Sequence, residues 1–191
     1  MSDPSFIAFD GLRRVAEGSL ASVIERCKIL LDADPSSTPI VYDEATGRPV
    51  DVDYRGNTPE VLARIATPEP DAAAKRGPGR PKLGVVAREV TLLPRHWAWL
   101  ADQRGGASVA LRRLVEAASR EAAPADRLRE AREAVDRFMY VLAGNLPGYE
   151  EASRAFHRLD QARFDSLIEP WPADVRDHIR KLAAAARGPQ H

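Results

Sequence analysis

Apolar positions recur every second residue at the start of the chain and at helical spacing soon after. Ser5 to Phe9 is an apolar run of strand character. Asp10-Gly11 supplies the turn dipeptide of a tight hairpin, whose two central positions need φ > 0, and Leu12 to Ala16 returns as a second strand. Gly18-Ser19 opens a helix with Ser19 as N-cap. Leu20, Val23, Ile24, Cys27 and Leu31 then fall near helical spacing and would face a sheet. The pattern recurs in Pro39 to Tyr42, a turn over Asp43 to Arg48, Pro49 to Asp53, and a helix opened by Gly56 to Glu60 with Asn57 or Thr58 as its cap. Setting Gly18 on Gly56 places Val23 on Val61, Ile24 on Leu62 and Arg26 on Arg64. A duplicated ββα unit would make a small four-stranded sheet with two helices.

Residues 67–82, TPEPDAAAKRGPGRPK, read as a flexible basic linker and a domain boundary. Val85 to Leu93 is a strand candidate stopped by Pro94, which suits the first position of a helix running to about Arg104. Gly105-Gly106 breaks that helix, and Ser108 caps the next one, with Val109, Leu111, Leu114, Val115 and Ala118 as its apolar positions. Pro124 starts a further helix, followed by helices over 147–157, 160–168 and 173–186. The expected class is α+β. The expected layout is an N-terminal ββα-ββα unit (1–66), the basic linker (67–82), a strand-helix-helix unit (83–120) and an all-helical C-terminal region (121–187).

Composition narrows the field. With 44% apolar residues in 191, part of the chain buries a core. One cysteine, Cys27, rules out an intrachain disulfide and a cysteine-built zinc site. The N-terminal MSDPSFIAFDGLRR has no signal pattern and no run approaches 18 apolar residues, so a cytoplasmic protein with no membrane partner is expected. Net charge is zero but unevenly spread: residues 75–120 carry ten Lys/Arg against three Asp/Glu, while residues 1–74 carry seven against thirteen. A basic centre points to an anionic partner, or to docking on an acidic protein surface.

Arg88 to Pro94, the following helix, Gly105-Gly106 and the capped helix with Arg112-Arg113 resemble the ribbon-helix-helix DNA-binding fold. The resemblance implies a homodimer whose paired strands enter the major groove, and a phosphate held at the N-terminus of the second helix. Carried onto this chain, alternate residues between Arg88 and Leu92 face the groove, and Gly106, Ala107 and Ser108 clamp the phosphate. If Leu93 points inward, the outward set is Arg88, Val90 and Leu92; in the opposite phase it is Glu89 and Thr91. Upstream, Lys75-Arg76-Gly77-Pro78-Gly79-Arg80-Pro81-Lys82 resembles an AT-hook, whose Gly-Arg-Pro centre lies in the minor groove of A·T-rich DNA. Pro78 stands where the usual hook has a second arginine, and the same residues also suit a plain basic linker.

Catalytic chemistry is hard to find. His96, His157, His178 and His191 have no metal-ligand spacing, and His178 is expected on the surface near Asp174. Asp51 and Asp53 share a strand face beside Arg48 and Arg55, the pattern of a solvent face. P-loop, dinucleotide and nucleophile-elbow patterns are missing. Trp97, Trp99 and Trp171 are expected as core or interface anchors; Trp97 and Trp99 cannot share one face of a helix.

The run GPGRPKLGVVAREVTLLPRHWAWLADQRGGASVALRRLVEAA, with NLPGYEEASRAFHRLDQARFDSLIEPWPADVRDH downstream, resembles the bacterial "domain of unknown function 2239" family. That resemblance implies a bacterial protein of this layout and carries no catalytic residues. The expectation is a non-enzymatic binding protein without cofactor or metal, a dimer that contacts DNA in the manner of a small transcriptional regulator. Its proposed contacts are Lys75, Arg76, Arg80, Lys82, Arg88, Thr91, Gly106, Ala107, Ser108 and Arg112. The alternative is a protein–protein adaptor or antitoxin-like partner.

Overall fold

The computed structural model describes residues 5–66, 86 and 88–187. The chain forms two compact units, one joining residues 1–67 to 125–191 and the other comprising residues 68–124. Among the described residues the class is α+β, with four strands and seven helices.

The first unit begins with β1 (Phe6–Asp10), β2 (Arg13–Gly18), α1 (Leu20–Ala33), β3 (Ile40–Asp43), β4 (Pro49–Val50) and α2 (Thr58–Ala66). The sheet is antiparallel throughout, in the order β2-β1-β3-β4. Both helices open as their capping residues dictate. The Ser19 hydroxyl accepts from Ser22 N at 3.3 Å. Asn57 Oδ1 accepts from Glu60 N at 3.0 Å while Asn57 N donates to Glu60 Oε2 at 3.0 Å, a reciprocal capping box that assigns the cap to Asn57. The aligned positions Val23 and Val61 are both buried in one cluster, with Ile24 buried and Leu62 packed against it. The second hairpin is the shorter one, since β4 has two residues.

Phe6 to Phe9 is apolar at every position, so β1 buries both faces of the sheet rather than one. Ala8 and Val41 meet α1 and α2 on one side. Ile7, Phe9 and Tyr42 point to the other, where α1 and α2 cannot reach. That face is covered by Val135, Phe138 and Met139 of α4 (Gly106–Ala143), together with α5 (Tyr149–His157), α6 (Gln161–Ile168) and α7 (Ala173–Ala185). Residues 1–66 and 121–187, expected as successive regions, therefore close over one core from Ala125 onward. Trp171 is buried in it, and its indole N–H donates to the Pro147 carbonyl at 2.9 Å.

The turn after β3 is pressed onto α4. Gly47 has φ +66°, and a Cβ there would stand 3.0 Å from the Ala134 carbonyl and 3.2 Å from the Phe138 ring. Arg137 Nη1 donates to the Thr46 carbonyl beside it. Gly47→Ala is expected to lower stability by about 2–3 kcal/mol, from left-handed backbone strain plus overpacking. Denaturant titration measures it; a variant within about 0.5 kcal/mol of the parent would mean the turn is not seated there.

Two expectations for residues 83–143 are corrected. The separate helices placed before and after Pro124 are a single helix, α4, 38 residues long. Proline inside a helix forfeits its own N–H bond and crowds the preceding turn. Here Pro124 is exposed, so water can serve the freed Arg120 carbonyl, and its neighbours Ala122, Ala123 and Ala125 are the best of helix formers. The division between the two units falls at this proline. Residues 88–93, expected as part of a strand, carry no strand ladder: a strand requires a partner, and none stands beside them among the described residues.

In the second unit, α3 (Pro94–Ala101) has Pro94 as its first residue and Leu93 as its N-cap, in extended conformation. It ends at Asp102, short of Arg104. Gly105 (φ +89°) and Gly106 (φ +75°) turn the chain into α4, and both conformations favour glycine.

Candidate nucleic-acid interface

The second unit has almost no core of its own. Among its described residues only Leu100 and Ala110 are buried apolar side chains. Leu92, His96, Trp99, Leu100, Leu111 and Leu114 line a groove of about 280 Å³. Trp97 and Trp99 are 42% and 49% exposed, so both reach the surface.

Leu92 turns into the groove while Leu93 is 48% exposed. Residues 88–91 are all exposed, Val90 at 56%, so Arg88 and Val90 face water, as do Glu89 and Thr91. Of Glu89 and Thr91, only Thr91 carries a hydrogen-bonding side chain that phosphates would not repel. Arg88 is exposed and shares the parity of Leu92.

The expected phosphate clamp is altered at its first residue. The Gly106 N–H already donates to the Gln103 carbonyl at 2.9 Å, because the two left-handed glycines fold it back. The backbone N–H groups of Ala107 and Ser108 have no acceptor among the described residues, as first-turn amides of α4. Ser108 does not cap the helix, which begins at Gly106; instead its carbonyl accepts from Arg112 Nε at 3.2 Å, holding that guanidinium one turn from the helix start. Lys75, Arg76, Arg80 and Lys82 lie outside the described residues.

Two cations not singled out from the sequence, Arg95 and Arg104, are exposed in the same unit. Among the described residues of this unit, the only ion pair is Arg120 with Glu116 at 3.3 Å. Arg88, Arg95, Arg104 and Arg113 are exposed and unpaired there. In the first unit, by contrast, Arg55 binds Asp53, Arg129 binds Asp126 and Arg180 binds Glu169. The signal that could have found Arg95 and Arg104 was the local shortage of carboxylates, which the charge count of 75–120 already contained.

The family model described as "Uncharacterized protein conserved in bacteria (DUF2239)" matches residues 5–183. The chain belongs to the DUF2239 family. The match spans both units, so the α+β unit, the segment 86–124 and the C-terminal helices are parts of one family architecture. No curated protein and no solved structure matches the chain. Among the described residues of this family member, no helix is long and apolar enough to cross a membrane, and no group of three or more His, Cys, Asp or Glu side chains is placed to hold a metal.

A buried polar cluster lies in the first unit, and it corrects the expectation for His178. His178 is 1% exposed, three residues after buried Val175 on the inner stripe of α7. Its ring packs 4.5 Å from that of Phe138 and 5.6 Å from that of Phe9. Neither ring nitrogen has a hydrogen-bond partner, and Nδ1 stands 3.8 Å from Glu44 Oε1. Removal from water pushes its pKa down to about 4, against the opposing pull of Glu44. Beside it, Lys181 Nζ bridges Glu17 at 2.6 Å and Glu44 at 2.7 Å, which holds the Glu17 carboxyl below its ordinary range. The cluster ties β2 and the β3–β4 turn to α7.

Proposed function

We propose that the protein binds DNA as a homodimer, through the basic segment 75–120, and acts as a small regulator. The observation that carries the reading is the set of unpaired guanidinium groups on the described part of this unit: Arg88, Arg95, Arg104 and Arg113. An exposed cation without a carboxylate is free to neutralise a phosphate, and counterion release makes that favourable at low salt. The free amides of Ala107 and Ser108, with Arg112 held nearby, suit one further phosphate. Either outward set, Arg88, Val90 and Leu92 or Glu89 and Thr91, offers few side chains that read bases, so affinity rests on the backbone of the duplex more than on base reading. A homodimer supplies what is missing among the described residues, a partner strand for residues 88–93 and cover for the exposed tryptophans. The protein–protein adaptor reading draws on those same exposed tryptophans, Trp97 and Trp99.

The test is binding to a random-sequence duplex and an A·T-rich duplex across a salt series. Affinity should fall steeply with salt, and Arg88→Ala/Arg113→Ala should flatten the log–log slope by about 0.9 for each phosphate no longer neutralised. Preference for the A·T-rich duplex, abolished in Arg80→Ala/Lys82→Ala, would assign a minor-groove role to that arm. No binding to either duplex at low salt would sink the DNA reading and leave the adaptor.

A further inference from the structure

The C-terminal helices of the first unit treat their arginines in two ways. Of the ten between residues 125 and 187, Arg129, Arg132, Arg137, Arg176 and Arg180 donate side-chain hydrogen bonds within the unit. The other five donate none among the described residues. Arg127 stands on α4. The remaining four, Arg154, Arg158, Arg163 and Arg187, line two adjoining concavities at the corner between α5 and α6, which share Ala155 and Asp160 as walls. Arg154 stands 3.7 Å from Glu150 and 3.6 Å from Glu151, ion pairs without a hydrogen bond. Arg158, Arg163 and Arg187 have no ion pair at all among the described residues.

The corner that presents them is firmly built. Leu159 turns the chain with φ +59°, a left-handed conformation that a leucine rarely takes. Its N–H donates to the Phe156 carbonyl at 3.0 Å, and the Asp160 N–H donates to the Ala155 carbonyl at 3.0 Å. Phe156 and Phe164 are buried beneath, with ring centres 5.8 Å apart. The carboxylates at hand are Glu150, Glu151 and Asp160, and Asp160 Oδ1 is engaged with the Arg163 N–H at 3.1 Å as the cap of α6. Four guanidinium groups against three carboxylates leave the corner positive, and like charges gathered in a concavity attract an anion.

We infer that this corner binds a phosphate group through Arg158 and Arg163, with Arg154 on the same wall. The guanidinium fork matches two phosphate oxygens at once. The concavity holding these three arginines is about 190 Å³, below the usual range of about 300–1,000 Å³ for a whole small molecule, so it fits one phosphate group and not a larger ligand. The donors are side chains, since Asp160 already occupies the start of α6. The site lies within the first unit and does not depend on the DNA reading.

Inorganic phosphate is the probe, titrated into the full chain at constant ionic strength against chloride and followed by calorimetry. The parent should show saturable binding. Arg158→Ala/Arg163→Ala removes two exposed side chains without partners, so it should melt with the parent in chloride and bind phosphate at least tenfold more weakly. Arg88→Ala/Arg113→Ala should bind phosphate as the parent does. No saturable binding by the parent would overturn the proposal, as would equal binding by Arg158→Ala/Arg163→Ala, which would place the anion elsewhere. Given binding that this variant loses, the source follows from the duplex salt series. A flatter slope in Arg158→Ala/Arg163→Ala assigns the phosphate to a nucleic-acid backbone, and an unchanged slope assigns it to a free phosphorylated ligand. A protein that binds no duplex but loses phosphate binding in the variant would keep this site and refute only the DNA reading.

Discussion

Phe138→Ala is expected to cost about 3–5 kcal/mol, the range for truncating a buried phenylalanine, and to loosen the sheet and the C-terminal helices together. Phe138 is fully buried in the last turns of α4. Its ring lies 5.4 Å from that of Tyr42 in β3 and 4.5 Å from that of His178 in α7, and its edge closes on the β3–β4 turn at Gly47. One side chain of α4 thus joins β3 and its turn to α7, segments far apart in sequence. Sheet and helices share that core, so the cavity left by the truncation should lower protection of both. Hydrogen exchange measures this directly: amides of β1 and β3 and those of α7 should lose protection by the same free energy. If α7 loosened while β1 and β3 kept the parent's protection, residues 1–66 and 125–187 would be separate folding units. A native total of 5–15 kcal/mol, usual for a domain, makes the loss large enough to populate the unfolded state on warming.

The second large effect is on pH dependence. His178 titrates near 4 when folded against 6.5 as an ordinary histidine, chiefly because burial disfavours the imidazolium. Between those values the unfolded chain binds a proton that the folded chain does not. Stability therefore rises with pH across that window. The contribution is whole above about pH 6.5 and is lost as pH falls toward 4, amounting to about 3 kcal/mol over the full window. Glu17, held low by Lys181, adds a loss of the same sign that sets in only below its own unfolded range near 4.5. His178→Leu separates the two. It removes a titrating group whose nitrogens lack hydrogen-bond partners, so the variant should melt no lower than the parent at pH 7. It should also hold its stability nearly flat from pH 6.5 to 5. Melting curves of both proteins at half-unit steps decide it; a variant that still loses stability steeply over that span would place the titrating group elsewhere.

Much of the architecture was legible from local pattern. Gly11 marked the first hairpin, although its turn residues are Gly11 and Leu12, not Asp10 and Gly11: Asp10 ends β1 opposite Arg13, and Gly11 alone of these has positive φ. Ser19 and the Asn57-Thr58 pair marked two helix starts, and Pro94 marked a third, because turns and caps are decided by residues within three or four positions of one another. His178 was misplaced because its neighbour Asp174 sits one turn away on a more exposed part of the helix. The inner stripe of Val175, His178 and Ile179 becomes visible only once the face that the sheet requires is known. Pro124 was read as a helix start because proline breaks helices on average. In an exposed alanine-rich stretch its penalty was smaller than the cost of ending the helix. For the candidate interface, the excess of cations over residues 75–120 was plain in the sequence. The pairing state of each arginine was not, since an ion pair is a matter of distance.

The sequence by itself determined the α+β class, the order of hairpins and helices over residues 5–66, the Ser19 cap and the basic centre, since each follows from short-range stereochemistry or from composition. Only the tertiary structure decided that β1 is buried on both faces, and that residues 1–66 and 125–187 share one core. It also decided that the Gly106 amide is taken, that His178 is buried, and that α4 carries a bare apolar stripe from Leu111 to Ala122. The physical reason is the same in each case. A side chain's chemistry is local, but whether it is covered, paired or left facing water depends on which distant segment comes to lie against it.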